Sequence, residues 1–105
     1  MAEQRIKVGT LKDIPRSYGK VVQAGGKRIA LFKMQDAVYA IDNECPHQGG
    51  PLAEGDLKDT LVRCPWHLWQ YDVTSGQCLS NPFAHVRSYP VEVTDGEVWV
   101  TIAKD

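Results

Sequence analysis

Two short stretches of this chain place cysteine and histidine side by side. In "NECPHQGGPL" (43–52), Cys45 and His47 are two apart; in "RCPWHLW" (63–69), Cys64 and His67 are three apart. Side chains at i and i+2 of an extended segment point the same way, so Cys45 and His47 can converge on one site. Cys64 and His67 converge if the chain turns at Pro65. Each stretch then offers one thiolate and one imidazole, donors that suit zinc, copper or iron–sulfur chemistry. Cys₂His₂ is a common tetrahedral zinc set, which makes a redox-inert zinc module one reading. In the familiar zinc finger, however, the two cysteines share one element and the two histidines another, whereas here each element carries one of each.

Rigid elements must bring the two stretches together. At 105 residues the chain is expected to form a single domain over 1–105, with one core. Short segments rich in Val, Ile, Tyr and Phe dominate: 5–9, 19–24, 28–34, 37–42, 60–64, 69–73, 86–93 and 97–103. Turn signals separate them at Gly25-Gly26, Gln35-Asp36, Thr74-Ser75-Gly76 and Asp95-Gly96. Val98, Val100 and Ile102 alternate with Trp99 and Thr101, the pattern of an antiparallel sheet with one buried face. The expected class is all-β, with at most one helical turn in each of "TLKDIP" (10–15) and "GPLAEG" (50–55). Both Cys/His pairs fall at strand ends. Two loops leaving one sheet side by side would bring four ligands to one point.

Thirteen acidic against twelve basic residues give no electrostatic case for nucleic acid or an anionic membrane. No apolar run is long enough to span a bilayer, and "MAEQRIKVGT" lacks the apolar core of a secretory signal, so a cytoplasmic location is expected. The three cysteines are an odd number, and a reducing compartment disfavours a disulfide framework.

The order C-P-H-Q-G-G-P-L followed by C-P-W-H-L-W resembles the Rieske iron–sulfur motif, C-x-H then C-x-x-H. The likeness extends through "YAIDNECPHQGGPLAEGDL", "YDVTSGQCLSNP" and "SYPVEVTDGEVWV", roughly residues 5–102, which look like the body of small Rieske-type ferredoxins. The resemblance implies an antiparallel β-sandwich with a cluster-binding subdomain of two loops, at about 43–83. By family logic one [2Fe–2S] cluster is held, with Cys45 and Cys64 on the inner iron and His47 and His67 on the outer. With neutral imidazoles, two ferric ions, two sulfides and two thiolates sum to zero charge, which costs little in a partly apolar site.

Family members in quinol-oxidising complexes carry an additional cysteine in each loop, joined as a disulfide. Gly50 and Trp66 stand at those positions here. Those members also present a Ser and a Tyr that hydrogen-bond to the cluster; here Trp69 replaces the Ser while Tyr71 is kept. Fewer donors imply a potential toward the low end of the Rieske range, which runs from about −150 to about +300 mV. Gly49 and Gly50 are expected to let backbone N–H groups approach the sulfides. Trp66 is expected to border the cluster and, with Trp69, to form an apolar docking rim. Pro82, in the "SNPFA" segment (80–84), is the expected covering residue. Leu68 departs from the glycine that commonly follows the second histidine, and "HLW" resembles ferredoxins serving diiron hydroxylases and small subunits of assimilatory nitrite reductase. Cys78 fits neither pair and reads as a buried or incidental thiol, and His85 as a surface residue.

No nucleophile–base pair or dinucleotide loop is present in the sequence. The expected role is therefore a monomeric electron carrier, not an enzyme. It would accept electrons from an NAD(P)H-dependent flavoprotein reductase and pass them to a terminal oxygenase, docking transiently around His47 and His67. The alternative is a small Rieske subunit of an NAD(P)H nitrite reductase.

Overall fold

A computed structural model describes residues 2–16, 18–34, 37–46, 49–66 and 69–104. Among the described residues ten strands run in chain order: β1 (Ala2–Thr10), β2 (Lys20–Ala24), β3 (Lys27–Met34), β4 (Ala37–Asp42), β5 (Asp56–Lys58), β6 (Leu61–Arg63), β7 (Gln70–Asp72), β8 (Ser88–Tyr89), β9 (Val91–Thr94) and β10 (Glu97–Lys104). They form three antiparallel sheets, ordered β1-β10-β9, β2-β3-β4-β8 and β5-β6-β7. The all-β antiparallel expectation holds. Both anticipated helical turns are present as 3₁₀ turns, Leu11–Asp13 and Leu52–Glu54.

β3 explains how the layers stack. Its run Ile29-Ala30-Leu31-Phe32 is buried at all four positions, so the central sheet is covered on both faces. Ile29 and Leu31 pack with Val22, Ala40, Val98, Val100 and Ile102, against the β1-β10-β9 sheet. Ala30 and Phe32 face the other way and pack with Ile41, Leu52, Val62, Tyr71 and Val73, against the small β5-β6-β7 sheet. The second core also contains Cys45, Cys64 and Cys78.

The structure differs from the sequence reading in two places. The segment 86–93 is two strands: Tyr89 pairs with Ala40 of β4, whereas Val91 pairs with Val100 of β10. Pro90 sits at the switch between sheets. It has no N–H to continue a ladder, though its carbonyl accepts a hydrogen bond from Thr101 N–H at 3.0 Å. β5 had no sequence signal, because "DLK" is short and mostly polar; it exists because β6 pairs with it in register, Leu57 opposite Val62. The Gln35-Asp36 turn lies outside the described residues.

Candidate metal centre

Each cysteine sits where a strand gives way to a loop. β4 ends at Asp42, and Asn43 and Glu44 lead to Cys45; β6 ends at Arg63, immediately before Cys64. The Cys45 N–H donates to the Gly50 carbonyl at 2.9 Å, and the Cys64 N–H donates to the Trp69 carbonyl at 2.8 Å. The two loops are thus closed in the same way, each cysteine amide bonding five residues ahead, despite the different spacing of their motifs. Both thiols are buried. His47 and His67 lie outside the described residues.

Gly50 joins the two loops. Its carbonyl holds the Cys45 amide, while a methyl group on its Cα would lie 2.7 Å from Cys64 Sγ and 3.1 Å from Trp66 Cγ. Only a residue without a side chain lets the second loop come this close. Gly50 and Trp66, at the positions of the family's disulfide cysteines, therefore touch one another. Packing of an indole on bare backbone joins the loops here.

Gly49 has a different task. Its φ of +75° is in the left-handed region, and its N–H donates to the Cys45 carbonyl at 2.7 Å. That amide is engaged within the loop, so the contribution of Gly49 in this structure is to turn the chain.

The first loop is anchored from beneath by Asn43, a buried polar residue that sequence reasoning missed. Its N–H donates to the Arg28 carbonyl (3.1 Å), its own carbonyl accepts from Leu52 N–H (2.7 Å), and its Oδ1 accepts from Ala53 N–H (3.0 Å). Nothing in the sequence distinguishes Asn43 from an ordinary turn residue; its partners come from β3 and from the turn after the loop. Next to it, Tyr89 O–H donates to Asp42 Oδ1 and Arg87 N–H donates to Asp42 Oδ2 (3.1 Å), tying β4 to β8 just before the loop begins. Burial, reinforced by the Asp42 carboxylate, pushes the Tyr89 hydroxyl well above the ordinary phenol range.

Tyr71, on β7, is fully buried with its hydroxyl 3.0 Å from Cys45 Sγ. Burial holds this hydroxyl far above the ordinary phenol range, with Cys45 and, less strongly, Cys78 acting in the same direction. The hydroxyl therefore stays protonated, and a hydrogen bond joins it to the Cys45 sulfur. Trp69 is half-buried against the same core, whereas Trp66 is 60% exposed. The segment after Cys78 runs along β7: Leu79 N–H donates to the Gln70 carbonyl (2.8 Å), and Gln70 N–H donates to Ser80 Oγ (3.0 Å). Pro82 and His85 are exposed, Cys78 buried. Leu79 is 56% exposed and Phe83 93%, an apolar pair that sequence reasoning did not single out.

Residues 4–90 match the Rieske [2Fe-2S] domain model. The chain belongs to the Rieske family. Its cofactor is a [2Fe–2S] cluster, one per chain, and the described donors fit that group. Two soft sulfurs lie buried on adjoining loops, with a hydroxyl aimed at one of them and bare backbone against the other. The zinc reading gives way to this one. A ferredoxin component of the naphthalene 1,2-dioxygenase/salicylate 5-hydroxylase systems of Ralstonia sp is 32% identical over 99 residues, covering 93% of this chain and 95% of the relative. A chain in the solved complex of reduced oxygenase and oxidised ferredoxin in carbazole 1,9a-dioxygenase is 30% identical, with a TM-score of 0.82 and 91% of each chain covered. A structure described as a nitrite reductase NADPH small subunit is 27% identical, with a TM-score of 0.86, covering 95% of this chain and 99% of that one. This Rieske chain is an electron-transfer component, not an enzyme in its own right. Among the described residues no helix is long and apolar enough to cross a membrane.

Proposed function

We propose that this Rieske chain is a monomeric cytoplasmic ferredoxin that carries single electrons from an NAD(P)H-dependent flavoprotein reductase to a terminal oxygenase. Cys45 and Cys64 hold the inner iron, and His47 and His67 hold the outer one. The observation that carries the ligand assignment is that the two thiols are buried in one core on adjoining loops, with Gly50 bonded to the Cys45 amide and packed beside Cys64 Sγ. When bound, the cluster supplies a site that takes up one electron at a time and releases it.

The protein's own groups set the terms of that exchange. Cys45 and Cys64 lie in a core with Leu52, Ala53, Val62 and Val73, which keeps water from the sulfurs. The Tyr71 hydroxyl donates to Cys45 Sγ, and such a bond strengthens when the site gains negative charge. Trp69 brings no hydroxyl where other family members have a serine. One side-chain donor in place of two supports a potential toward the low end of the Rieske range, near about −150 mV.

Docking takes place around His47 and His67, with Trp66 at the tip of the second loop and Leu79 and Phe83 on the segment beside β7 as an apolar rim. Lys27, Arg28, Asp42 and Glu44 border a polar groove that reaches Cys45 and Pro46. A small apolar patch with a charged margin suits a weak, transient complex. Pro82 is carried on the same segment as Phe83, in keeping with a covering role. The oxygenase partner is supported by the dioxygenase-system relative and by the oxygenase–ferredoxin complex among the similar structures.

The test is reconstitution. Purified chain loaded with iron and sulfide, together with a flavoprotein reductase, a Rieske-type dioxygenase, its aromatic substrate and NADH, is expected to support substrate-dependent NADH consumption. Absence of turnover with every such oxygenase would defeat the oxygenase assignment. The likeness to the nitrite reductase small subunit favours a second reading, permanent attachment to a large catalytic chain. Gel filtration after co-expression separates the two, because a carrier elutes alone and a subunit does not.

A further inference from the structure

A cleft of about 540 Å³ opens between the β3–β4 hairpin and the β5–β6 hairpin. Ala37, on its wall, begins β4, whereas Asp42 ends β4 just before the Cys45 loop. Five strand steps of about 3.3 Å put Ala37 about 16 Å from Asp42, so the cleft lies at the end of the strand away from that loop. Met34 is paired with Ala37, and Tyr39 is two positions on, so these three side chains share one face of the β3–β4 ribbon. Met34, Tyr39 and, from β5, Leu57 are half-buried and pack against the core that holds the cysteines. The cleft therefore has an apolar floor made of a thioether, an aromatic ring and a branched aliphatic chain, surfaces that take another ring well.

Arg16, Lys33 and Asp59 are the charged residues on the described lining. The Lys33 ammonium is held in place, donating from Nζ to the Leu11 carbonyl at 3.2 Å. Arg16 is exposed, and among the described residues it makes neither an ion pair nor a side-chain hydrogen bond, although Asp59 lines the same cleft. An unpaired guanidinium presents five N–H donors in a fork whose spacing matches the two oxygens of a carboxylate. We propose that this cleft is a binding site for a small aromatic carboxylate. The acid group takes the fork of Arg16, the ring covers Met34, Tyr39 and Leu57, and repulsion from Asp59 decides which way round the molecule lies. The volume is that of a small-molecule site, an apolar floor with few polar groups. The site goes beyond the electron-carrier reading and shares no residue with it.

The experiment is calorimetric titration of the cluster-loaded chain with benzoate as the probe. Saturable one-to-one binding is expected. Benzamide keeps the shape without the charge and should bind about tenfold more weakly or worse, because hydrogen bonds to a charged group are the stronger ones. Acetate keeps the head without the ring and should lose at least about tenfold as well, since the floor is left uncovered. Arg16→Gln should weaken benzoate by about tenfold and leave benzamide unchanged, with Arg16→Lys in between because a point charge replaces the fork. Lys58→Gln is the control: it removes a cation on β5 that lines a separate hollow, and should leave benzoate binding as it was. N-acetylphenylalanine tests the other source of the same chemistry, the C-terminal residue of a partner chain, and should bind no more tightly than benzoate. Absence of saturable benzoate binding, equal binding of benzamide, or an equal response to Arg16→Gln and Lys58→Gln overturns the site. Tighter binding of N-acetylphenylalanine overturns the free acid as its occupant. None of these results touches the carrier reading, whose own test is electron delivery.

Discussion

Substituting Gly50 by alanine separates close approach from backbone strain as the reason for a glycine. The new methyl would sit 2.7 Å from Cys64 Sγ, 3.1 Å from Trp66 Cγ and 3.2 Å from Trp66 Cδ2. Non-bonded heavy atoms settle at roughly 3.5–4.0 Å, so the sulfur is overlapped by about 1 Å. Cys64 cannot yield easily, since it is fully buried and its amide is tied to Trp69. Overpacking of this kind costs about 1–3 kcal/mol. For a domain of this size that is a fall in Tm of roughly 4–20 °C. Displacement of Cys64 Sγ should also reduce the iron retained per chain. Gly49 is the control. A methyl there meets nothing within 4 Å, but its φ is +75°. Gly49→Ala should therefore cost about 1–2 kcal/mol through the left-handed backbone alone. Gly49→Asn should recover much of that loss with full iron content, because asparagine tolerates this conformation, whereas Gly50→Asn should be at least as damaging as Gly50→Ala. Thermal unfolding followed by circular dichroism and iron determination decide the matter. A Gly50→Ala protein with unchanged Tm and iron, or two glycines that respond alike to asparagine, would refute the reasoning.

Other consequences are open to direct measurement. Asn43→Ala leaves the buried Ala53 N–H without its acceptor and should cost about 1–3 kcal/mol, seen as a lower urea midpoint with an unchanged slope; an unmoved midpoint would show that Asn43 is no anchor. Tyr89 holds its proton more tightly folded than unfolded, so the stability it contributes is complete below the ordinary phenol value of about 10 and drains away as pH rises toward the higher folded-state value. Tyr89→Phe should accordingly lower the urea midpoint at pH 8 and flatten its alkaline decline, whereas curves that fall in parallel would contradict that account. Phe83 is 93% exposed, so Phe83→Glu should leave Tm and midpoint potential in place while slowing electron delivery to the oxygenase in stopped-flow mixing. An unchanged rate would remove Phe83 from the docking rim.

The donor types at the centre and the strands that lead to them were legible in the sequence, because both are local properties. Cys45 and Cys64 announce soft-metal chemistry by residue type and spacing, and alternation such as Val98, Val100, Ile102 marks a buried strand face wherever it occurs. The wholly apolar run in β3 likewise reads as a strand, though only its two-sided burial shows that it is the middle layer. What stayed hidden depends on neighbours distant along the chain. β5 is a strand because β6 lies beside it, and Pro90 divides a single β-like segment because each half has a different partner sheet. Asn43 becomes an anchor only when β3 and the 52–54 turn reach it. Gly50 must be glycine for want of space beside a sulfur fourteen positions away, not for its φ. Side-chain chemistry and periodicity are written residue by residue, whereas contact distances and cross-strand pairs exist only once the sheets have closed on one another.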